Sequence, residues 1–293
     1  MAKINDTTTY PPTTPALDDH VPGTDISDTG NDANGETVTF TLEAMRDLFF
    51  KGAAQCYFQY TNATTCTLAR KDGAWVQIAG ALYQIPSVGV TLGTGGLSPS
   101  TLYYVYAYMS GSTLTLEASA TAWAASTTAG NEGMPIKSGD NTRTLVGMLY
   151  TNGSTQFDAA MVISYWNPTR RVTRVVEGAA SSTTSSSWVA IGTAVYFLWF
   201  TGFPLPQPTV MCPVSSSGAI PVYLGAYLNG STPTATNMAT AATFEALTVH
   251  GSNQSPSQGR GYFQGWGVTN SGTATYGYTA GGVFMETLVE FWG

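Results

Sequence analysis

Charged side chains are scarce in this sequence. Lys, Arg, Asp and Glu make up 10% of the 293 residues, against about 25% in average soluble domains. Exposed helix surfaces are normally rich in Lys, Glu and Arg, so their scarcity argues against a helical protein. Gly, Ser, Thr, Ala and Tyr take their place, and this composition is typical of strands and turns. The composition therefore predicts an all-β fold.

Long apolar runs, histidines and cysteines are also few. No run approaches the ~20 residues of a membrane-spanning helix, and no apolar segment follows the first residues as it would in a secretory signal. We expect that the protein does not insert into a membrane and that it assembles in a cytoplasm. The two histidines and three cysteines show no metal-ligand spacing, and no Gly-rich loop indicates a nucleotide site, so no metal and no cofactor are expected. Cys56 and Cys66 could face each other across a hairpin centred near Thr61, and the sequence leaves open whether they form a disulfide. Cytosolic thiols usually remain reduced.

The charge that is present is unevenly distributed. The first 50 residues hold nine acidic and two basic side chains, which accounts for the whole formal net charge of −7. Such an acidic segment, rich in Thr, Pro, Asp and Gly, buries too little apolar surface to fold alone. We expect it to become ordered by lying on another protein. The rest of the chain has no basic face, so nucleic-acid binding is not expected.

Two short elements are predicted within this acidic segment. Residues 36–40 alternate polar and apolar side chains and predict a strand, and Pro22-Gly23 predicts a turn. Thr41 is suited to cap a helix of two to three turns that ends before Gly52. A helix this short is marginal in isolation, so it needs a partner surface. The side chains predicted to make that contact are Val38, Phe40, Leu42, Met45, Leu48 and Phe49.

The pattern changes to period two after residue 52. Short alternating runs are separated by turn pairs such as Asp72-Gly73 and Asn152-Gly153, and residues 89–98 are predicted to form a loop. Strands of this length and spacing predict antiparallel sandwiches. The predicted architecture is all-β: an extended N-terminal anchor with one short helix (1–52), a first β-sandwich (53–168), a linker (169–187) and a second, distal β-sandwich (188–293).

Several stretches resemble tail proteins of tailed bacteriophages. The run Thr13-Thr-Pro-Ala-Leu-Asp-Asp-His-Val-Pro-Gly-Thr-Asp25, followed by residues 38–48, looks like the N-terminus of such proteins. In the body, residues 102–108 and 143–148, leading to 163–167, are similar to a module found in the same group. The resemblance covers roughly the first 170 residues. It implies a virion appendage, a homotrimeric tail fibre or tail-tip protein whose N-terminus binds the particle.

The resemblance also implies partners and a location. Residues 1–52 would dock on other virion proteins, namely tail or neck/adaptor components, during assembly in the host cytoplasm. The β domains would project from the particle and serve host attachment and receptor binding. A head decoration or head fibre protein is the alternative that the sequence does not separate from a tail fibre.

Aromatic and amide side chains in the last domain suggest a binding surface. Tyr262, Phe263 and Trp266 follow a polar loop that contains Asn253 and Gln254. Aromatic rings beside hydrogen-bonding side chains are what carbohydrate recognition uses. The hypothesis is a receptor site for a host-surface glycan. Packing in the core or between the subunits of a trimer is the alternative.

Three arginines follow the first predicted sandwich. Arg170, Arg171 and Arg174 are expected to pair with acids of a neighbouring subunit and so to fix the linker. Capture of an anionic surface glycan is the alternative.

Catalytic side chains do not form a recognisable set. No Gly-x-Ser-x-Gly turn accompanies His250. The last domain offers only Glu245, Glu286 and Glu290 for the paired carboxylates that glycan cleavage requires. We therefore predict no enzymatic activity, and keep a carbohydrate-active virion enzyme as the alternative.

Overall fold

The computed structural model describes residues 20–25, 36–41, 54–176, 180–218, 220–230, 233–240, 245–251, 256–277 and 285–292. All strand pairs in these ranges are antiparallel, and their one helix is the 3₁₀ turn Ala159–Met161. The predicted all-β fold is therefore confirmed. Across the same ranges, no helix has the length and apolarity to cross a membrane. The chain divides into two compact units, Met1–Ala53 and Ala54–Gly293.

The first unit contains a two-stranded antiparallel sheet. Strand β1 (His20–Asp25) pairs with β2 (Glu36–Thr41) along its whole length. The strand predicted at residues 36–40 is confirmed, and the turn predicted at Pro22-Gly23 is wrong because both residues lie inside β1. Each strand of a two-stranded sheet is an edge, so a proline that lacks an N–H is tolerated there.

The predicted anchoring residues fall mostly beyond the described ranges. Val38 and Phe40 lie on β2. The predicted helix, with Leu42, Met45, Leu48 and Phe49, is outside the described residues. The anchoring role of all six stays a prediction.

In the second unit the described residues form 22 strands, which we divide at residue 168 into a first and a second half. The first half contains β3 (Cys56–Asn62), β4 (Thr65–Arg70), β5 (Trp75–Ile78), β6 (Ala81–Gln84), β7 (Val90–Gly93), β8 (Leu102–Ser110), β9 (Thr113–Ser119), β10 (Trp123–Ala125), β11 (Pro135–Lys137), β12 (Asp140–Tyr150) and β13 (Val162–Ser164). The second half contains β14 (Arg170–Val176), β15 (Ser181–Thr183), β16 (Val189–Ala190), β17 (Val195–Trp199), β18 (Gln207–Ser216), β19 (Val222–Leu228), β20 (Pro233–Ala239), β21 (Glu245–His250), β22 (Gly259–Thr269), β23 (Ala274–Tyr276) and β24 (Glu286–Trp292).

The first half is built from two sheets and a hairpin. Sheet I has the order β10-β11-β12-β8-β9, with β13 also paired to β12; sheet II has the order β3-β4-β7; and β5-β6 is a hairpin. The Asp72-Gly73 turn leads into β5, and both residues have positive φ, +56° and +146°. Strand β7 lies in the segment predicted to be a loop, where it pairs with β4. With four residues, it is too short for alternation to reveal it.

The second half is built from two sheets. Sheet III has the order β14-β24-β18-β23-β15, with β21 also paired to β18. Sheet IV has the order β16-β22-β19-β20, with β17 also paired to β22. The segment 169–187, predicted to be a linker, contributes β14 and β15 to sheet III. Strand β14 pairs with all seven residues of β24, so the three arginines belong to a sheet rather than to a connection.

Two hydrophobic clusters each fill one sandwich. One lies between sheets I and II and includes Phe58, Leu68 and Val105. Another lies between sheets III and IV and includes Leu224 and Tyr276. Each fully buried side chain of this kind contributes roughly 1.5–3 kcal/mol, so both halves have the sandwich packing that the alternating pattern predicts.

A further cluster joins the two halves. Strand β8 is buried on both faces: Val105 enters the sheet I–sheet II core, whereas Tyr104 and Tyr106 pack with Phe197 and Phe291 of the second half. Sheet I is therefore an inner layer of the unit. The division of the body into domains 53–168 and 188–293 stays a prediction.

The three cysteines are free and buried. The β3–β4 register pairs Cys56 with Arg70 and Cys66 with Tyr60, so the turn falls at Ala63 and not near Thr61. The thiols of Cys56 and Cys66 therefore do not face each other across the hairpin. Burial raises the pKa of the Cys56 and Cys66 thiols to about 12.

Candidate functional site

The sequence of β22 gives this strand one packed face and one exposed face. Residues 259–267 read Gly-Arg-Gly-Tyr-Phe-Gln-Gly-Trp-Gly, with glycine or Phe263 at every inward position. A β-carbon at Gly261 would come within 2.7 Å of the Phe197 ring, so the glycines make room for large neighbours. Arg260, Tyr262, Gln264 and Trp266 consequently lie on the outer face.

The predicted receptor residues are divided between these two faces. Phe263 is 1% exposed and stacks on Phe197 in the core, so it cannot contact a ligand. The prediction that Phe263 is a receptor-binding residue is therefore wrong. Tyr262 and Trp266 share the outer face and are partly exposed. Asn253 and Gln254 lie outside the described residues. Strand alternation predicts this separation of neighbours, and it should have excluded Phe263.

Trp266 belongs to an aromatic face formed by Trp188, Tyr223, Tyr227 and Trp266. Its ring stacks on Tyr227 with centroids 4.3 Å apart, and Trp188 lies 5.8 Å from the Tyr227 centroid. Tyr227 is 4% exposed, so it supports the others from beneath. The Trp266 Nε1 is buried and has no hydrogen-bond partner among the described residues. Sequence reasoning missed Trp188, Tyr223 and Tyr227, which alternation on β19 places beside β22.

A cleft lies where sheet IV meets loops of the first half. The Arg260 guanidinium carbon lies 3.7 Å from the centroid of the Tyr196 ring and 4.2 Å from that of Tyr150. An Arg260 N–H also donates to the Tyr150 hydroxyl at 3.4 Å. We call this the Arg260 cleft. It has a volume of about 320 Å³ and is lined by Ser100, Tyr150, Asn152, Gly153, Asp158, Met161, Tyr196 and Arg260.

The polar side chains of the Arg260 cleft are held by their own loops. Asp158 Oδ1 accepts a bond from the Ala160 N–H at 2.8 Å and caps the 3₁₀ turn. Asn152 Oδ1 accepts bonds from the Ser154 and Gln156 N–H groups at 2.9 and 2.8 Å. Both side chains are thereby fixed while they remain exposed at the surface.

The Arg260 cleft continues toward one predicted receptor residue. Tyr196 and Tyr262 are paired across β17 and β22, and their ring centroids are 5.5 Å apart. Sequence reasoning found Tyr262 but missed Tyr150, Tyr196 and Arg260. Tyr150 and Arg260 are 110 positions apart, and no local pattern predicts that the fold brings them together.

Two of the three arginines of β14 pair with acids of this chain, and the predicted pairing with acids of a neighbouring subunit stays a prediction. Arg170 pairs with Glu290, and Arg174 pairs with Glu286, both within this chain. The β14–β24 register places each pair diagonally on one sheet face, where opposite charges attract. Arg171, on the other face, donates to the carbonyls of Ala159 and Val162. Burial lowers the pKa of Arg171.

The candidate catalytic groups stay apart in the structure. Glu286 and Glu290 are engaged by arginines, and Glu245 and His250 occupy opposite ends of β21. The His250 Nδ1 lies 3.0 Å from the Thr209 hydroxyl. Within the described ranges, no group of three or more His, Cys, Asp or Glu side chains is placed to hold a metal ion.

No protein-family model matches the chain, and no curated protein matches it. Three solved structures show low similarity. The insecticidal delta-endotoxin Cry8Ea1 of Bacillus thuringiensis is 12% identical, with a TM-score of 0.27 over 97% of this chain and 62% of the toxin chain. The structure of BuGH86 in complex with neoagarooctaose is 8% identical, with a TM-score of 0.26 over 91% and 40%. The infectious bursal virus-derived T=1 particle is 12% identical, with a TM-score of 0.27 over 89% and 64%. The chain thus spans less than two thirds of each, and similarities this low assign neither a fold family nor a function.

Proposed function

We propose that this chain is a bacteriophage virion structural protein, a tail fibre or tail-tip protein. Residues 1–52 dock on the particle, and the β unit projects outward for host attachment. The observation that carries the proposal is the coincidence of two boundaries. The charge imbalance is confined to the first 50 residues, and the compact units separate at Ala53. The resemblance to phage tail proteins in residues 13–48 supports the same assignment.

The docking segment combines acidic and apolar side chains. Burial of Val38, Phe40 and the apolar stripe of residues 42–49 against a virion protein contributes roughly 1.5–3 kcal/mol for each side chain, before the cost of ordering the segment. Several copies in a symmetric appendage, which we propose is a homotrimer, strengthen attachment through avidity. The acidic side chains favour a basic groove on a tail or neck/adaptor component as the partner.

The distal part of the proposal is recognition of a host-surface glycan. It is supported by the outer face of sheet IV, where Tyr262 and Trp266 are partly exposed. Partly exposed aromatic rings are suited to stacking on the faces of sugars. Trp266→Ala is expected to reduce binding of the protein to host cells, with Met211→Ala, a 37% exposed position on sheet III, as the control. Unchanged binding of Trp266→Ala would remove this residue from the receptor surface.

Deletion of residues 1–52 tests the docking function. The truncated protein is expected to fold, because the unit Ala54–Gly293 contains all three hydrophobic clusters, but to be missing from purified particles. Circular dichroism and thermal unfolding verify the fold, and immunoblots of particles measure incorporation. The Trp266→Ala variant of the full chain is the matched control and is expected to be incorporated normally. Wild-type incorporation of the truncated protein would refute the proposal.

Location on the particle separates the proposal from its structural alternative. A head decoration or head fibre protein would also lose incorporation on truncation. It would, however, co-purify with tail-less heads, whereas a tail protein co-purifies with isolated tails.

A further inference from the structure

Arg260 differs from the other arginines of the described residues in its partners. The others reach a carboxylate or a main-chain carbonyl: Arg70 with the carbonyl of Ile85, Arg143 with Glu117, Arg170 with Glu290, Arg171 with the carbonyls of Ala159 and Val162, and Arg174 with Glu286. Within the same ranges, the contacts of the Arg260 guanidinium are with the Tyr150 and Tyr196 rings and the Tyr150 hydroxyl. No carboxylate of those ranges forms an ion pair with Arg260, although Asp158 lines the same cleft.

The two rings also fix the guanidinium group. Tyr196 and Tyr150 contact it at 3.7 and 4.2 Å, and a guanidinium stacked on aromatic rings keeps its N–H donors free at its edge. Among the residues that the structure describes, one of these donors is used, on the Tyr150 hydroxyl. A planar fork of donors that is already oriented matches the two oxygens of a carboxylate.

Arg143 shows what the same arrangement looks like when its charge is satisfied. Its guanidinium carbon lies 4.0 Å from the centroid of the Tyr108 ring, a distance similar to those in the Arg260 cleft. Its N–H groups, however, donate to the Glu117 carboxylate and the Thr142 hydroxyl. At Arg143 a carboxylate thus completes the arginine–tyrosine contact, whereas among the described residues no carboxylate pairs with Arg260.

The rest of the cleft limits what else the ligand contains. Its volume of about 320 Å³ is at the small end of ligand pockets, which run from roughly 300 to 1,000 Å³, so it holds one or two sugar rings. Asp158 lines the same cleft and repels a second negative charge, while its carboxylate accepts bonds from hydroxyl groups. The ligand therefore carries one carboxylate beside several hydroxyls.

We propose that the Arg260 cleft binds a sugar acid, with its carboxylate on Arg260, its hydroxyls toward Asp158 and Asn152, and a ring face against Tyr196. Tyr196 is 36% exposed, which leaves surface for this contact. The proposal rests on the proposed function in that it takes a host-surface saccharide as the source of the sugar acid. A neutral sugar binds poorly because it leaves the guanidinium without an anion.

Saturation-transfer NMR on the purified full-length protein tests this binding. The probes are D-glucuronate, D-galacturonate and N-acetylneuraminate, with D-glucose and D-galactose as the neutral counterparts. At least one acid is expected to give signals that saturate on titration, and the neutral sugars are expected to give none. Signals from no acid, or equal signals from acid and neutral sugars, would overturn the proposal.

Three variants locate the binding. Arg260→Gln is expected to weaken binding of the acid at least about tenfold, since a charge-assisted bond is lost. Arg143→Gln, at the other arginine–tyrosine contact, is expected to leave it unchanged. Arg260→Lys keeps the charge and is expected to retain part of the binding, which separates charge recognition from loss of the fold; melting temperatures are compared for all three. Full binding in folded Arg260→Gln would overturn the proposal.

These outcomes are independent of virion docking. Loss of sugar-acid binding with normal incorporation into particles contradicts the Arg260 cleft alone. Failure of residues 1–52 to direct incorporation, with sugar-acid binding intact, contradicts the docking function alone.

Discussion

The ring of Tyr276 occupies the space that a β-carbon on Gly267 would fill. Its hydroxyl donates to the Tyr223 carbonyl at 2.9 Å and lies 3.2 Å from the Val268 carbonyl. Tyr276 belongs to sheet III, whereas the other three residues belong to sheet IV. This contact therefore ties together the two layers of the second sandwich, and it depends on a glycine in the middle of a strand.

Gly267→Ala is expected to lower the free energy of unfolding by about 1–3 kcal/mol, the usual cost of an overpacked core. The added methyl group displaces the Tyr276 ring and its two carbonyl contacts. Gly95→Ala is the control, because a β-carbon there meets no atom within 4 Å. Urea unfolding measures both variants. Equal stability of Gly267→Ala and Gly95→Ala would show that the Tyr276 contact is not required.

The shared cluster predicts that the two halves unfold together. Phe197 is completely buried beside Tyr104 and Tyr106 of the first half. Phe197→Ala is expected to cost about 3–5 kcal/mol and to speed amide exchange in β8 as much as in β19. Met238→Ala, at a 50% exposed position, is expected to change neither. Faster exchange in β19 alone would indicate two independently folding domains, as the division at residues 168 and 188 predicts.

The Glu117 carboxylate makes stability depend on pH. Burial alone raises its pKa, but bonds from Lys137 and Arg143 outweigh burial and hold the pKa of Glu117 below its ordinary value. A lowered folded-state pKa contributes stability that is present above the unfolded value, about 4.3, and that is lost as the pH falls through the folded-state value.

Glu117→Gln is therefore expected to cost about 1–2 kcal/mol at pH 7, because bonds to charged groups contribute roughly 1.5–3 kcal/mol and partial exposure reduces this. The difference is expected to shrink as the pH falls below about 4.3 and to vanish only once the pH lies below the lowered folded-state value. Glu132→Gln, at an exposed position, is the control. Unfolding measured from pH 7 down to pH 3 gives the comparison, and a constant difference across that range would contradict the assignment.

The three thiols are expected to be unreactive in the folded protein. Burial raises the pKa of Cys56, Cys66 and Cys212 to about 12, and the thiolate is the reactive form. An excess of a thiol-reactive disulfide reagent at pH 8 is expected to label no site rapidly in native protein and three sites in guanidinium chloride. One labelled site after denaturation without a reductant would instead indicate a disulfide.

The alternating pattern predicted many strands because alternation was visible where the strands are long or flanked by clear turns. Along β8, for example, Tyr103 and Val105 enter one hydrophobic cluster and Tyr104 and Tyr106 the other, as alternation requires. Strand β14 was mistaken for a linker because Arg170, Arg171 and Arg174 interrupt its apolar face. Their partners Glu286 and Glu290 are more than 100 positions away, and only the strand pairing brings these charges together.

The candidate site was less predictable than the fold. Tyr262 and Trp266 were found because aromatic side chains cluster on β22, but the assignment of Phe263 ignored the alternation of that strand. The Arg260 cleft joins the end of β12 to β17 and β22. It depends on how the two halves pack, and packing between distant segments is not encoded in a local pattern.

Electron microscopy of purified particles that carry a gold label on the C-terminus of this chain measures where the protein lies on the virion and which end points outward. If the N-terminal segment docks and the β unit projects, the label is expected at the tail, displaced outward from its surface, in equal numbers on each particle. Labels that lie flush against the head, or particles without any label, would contradict the account.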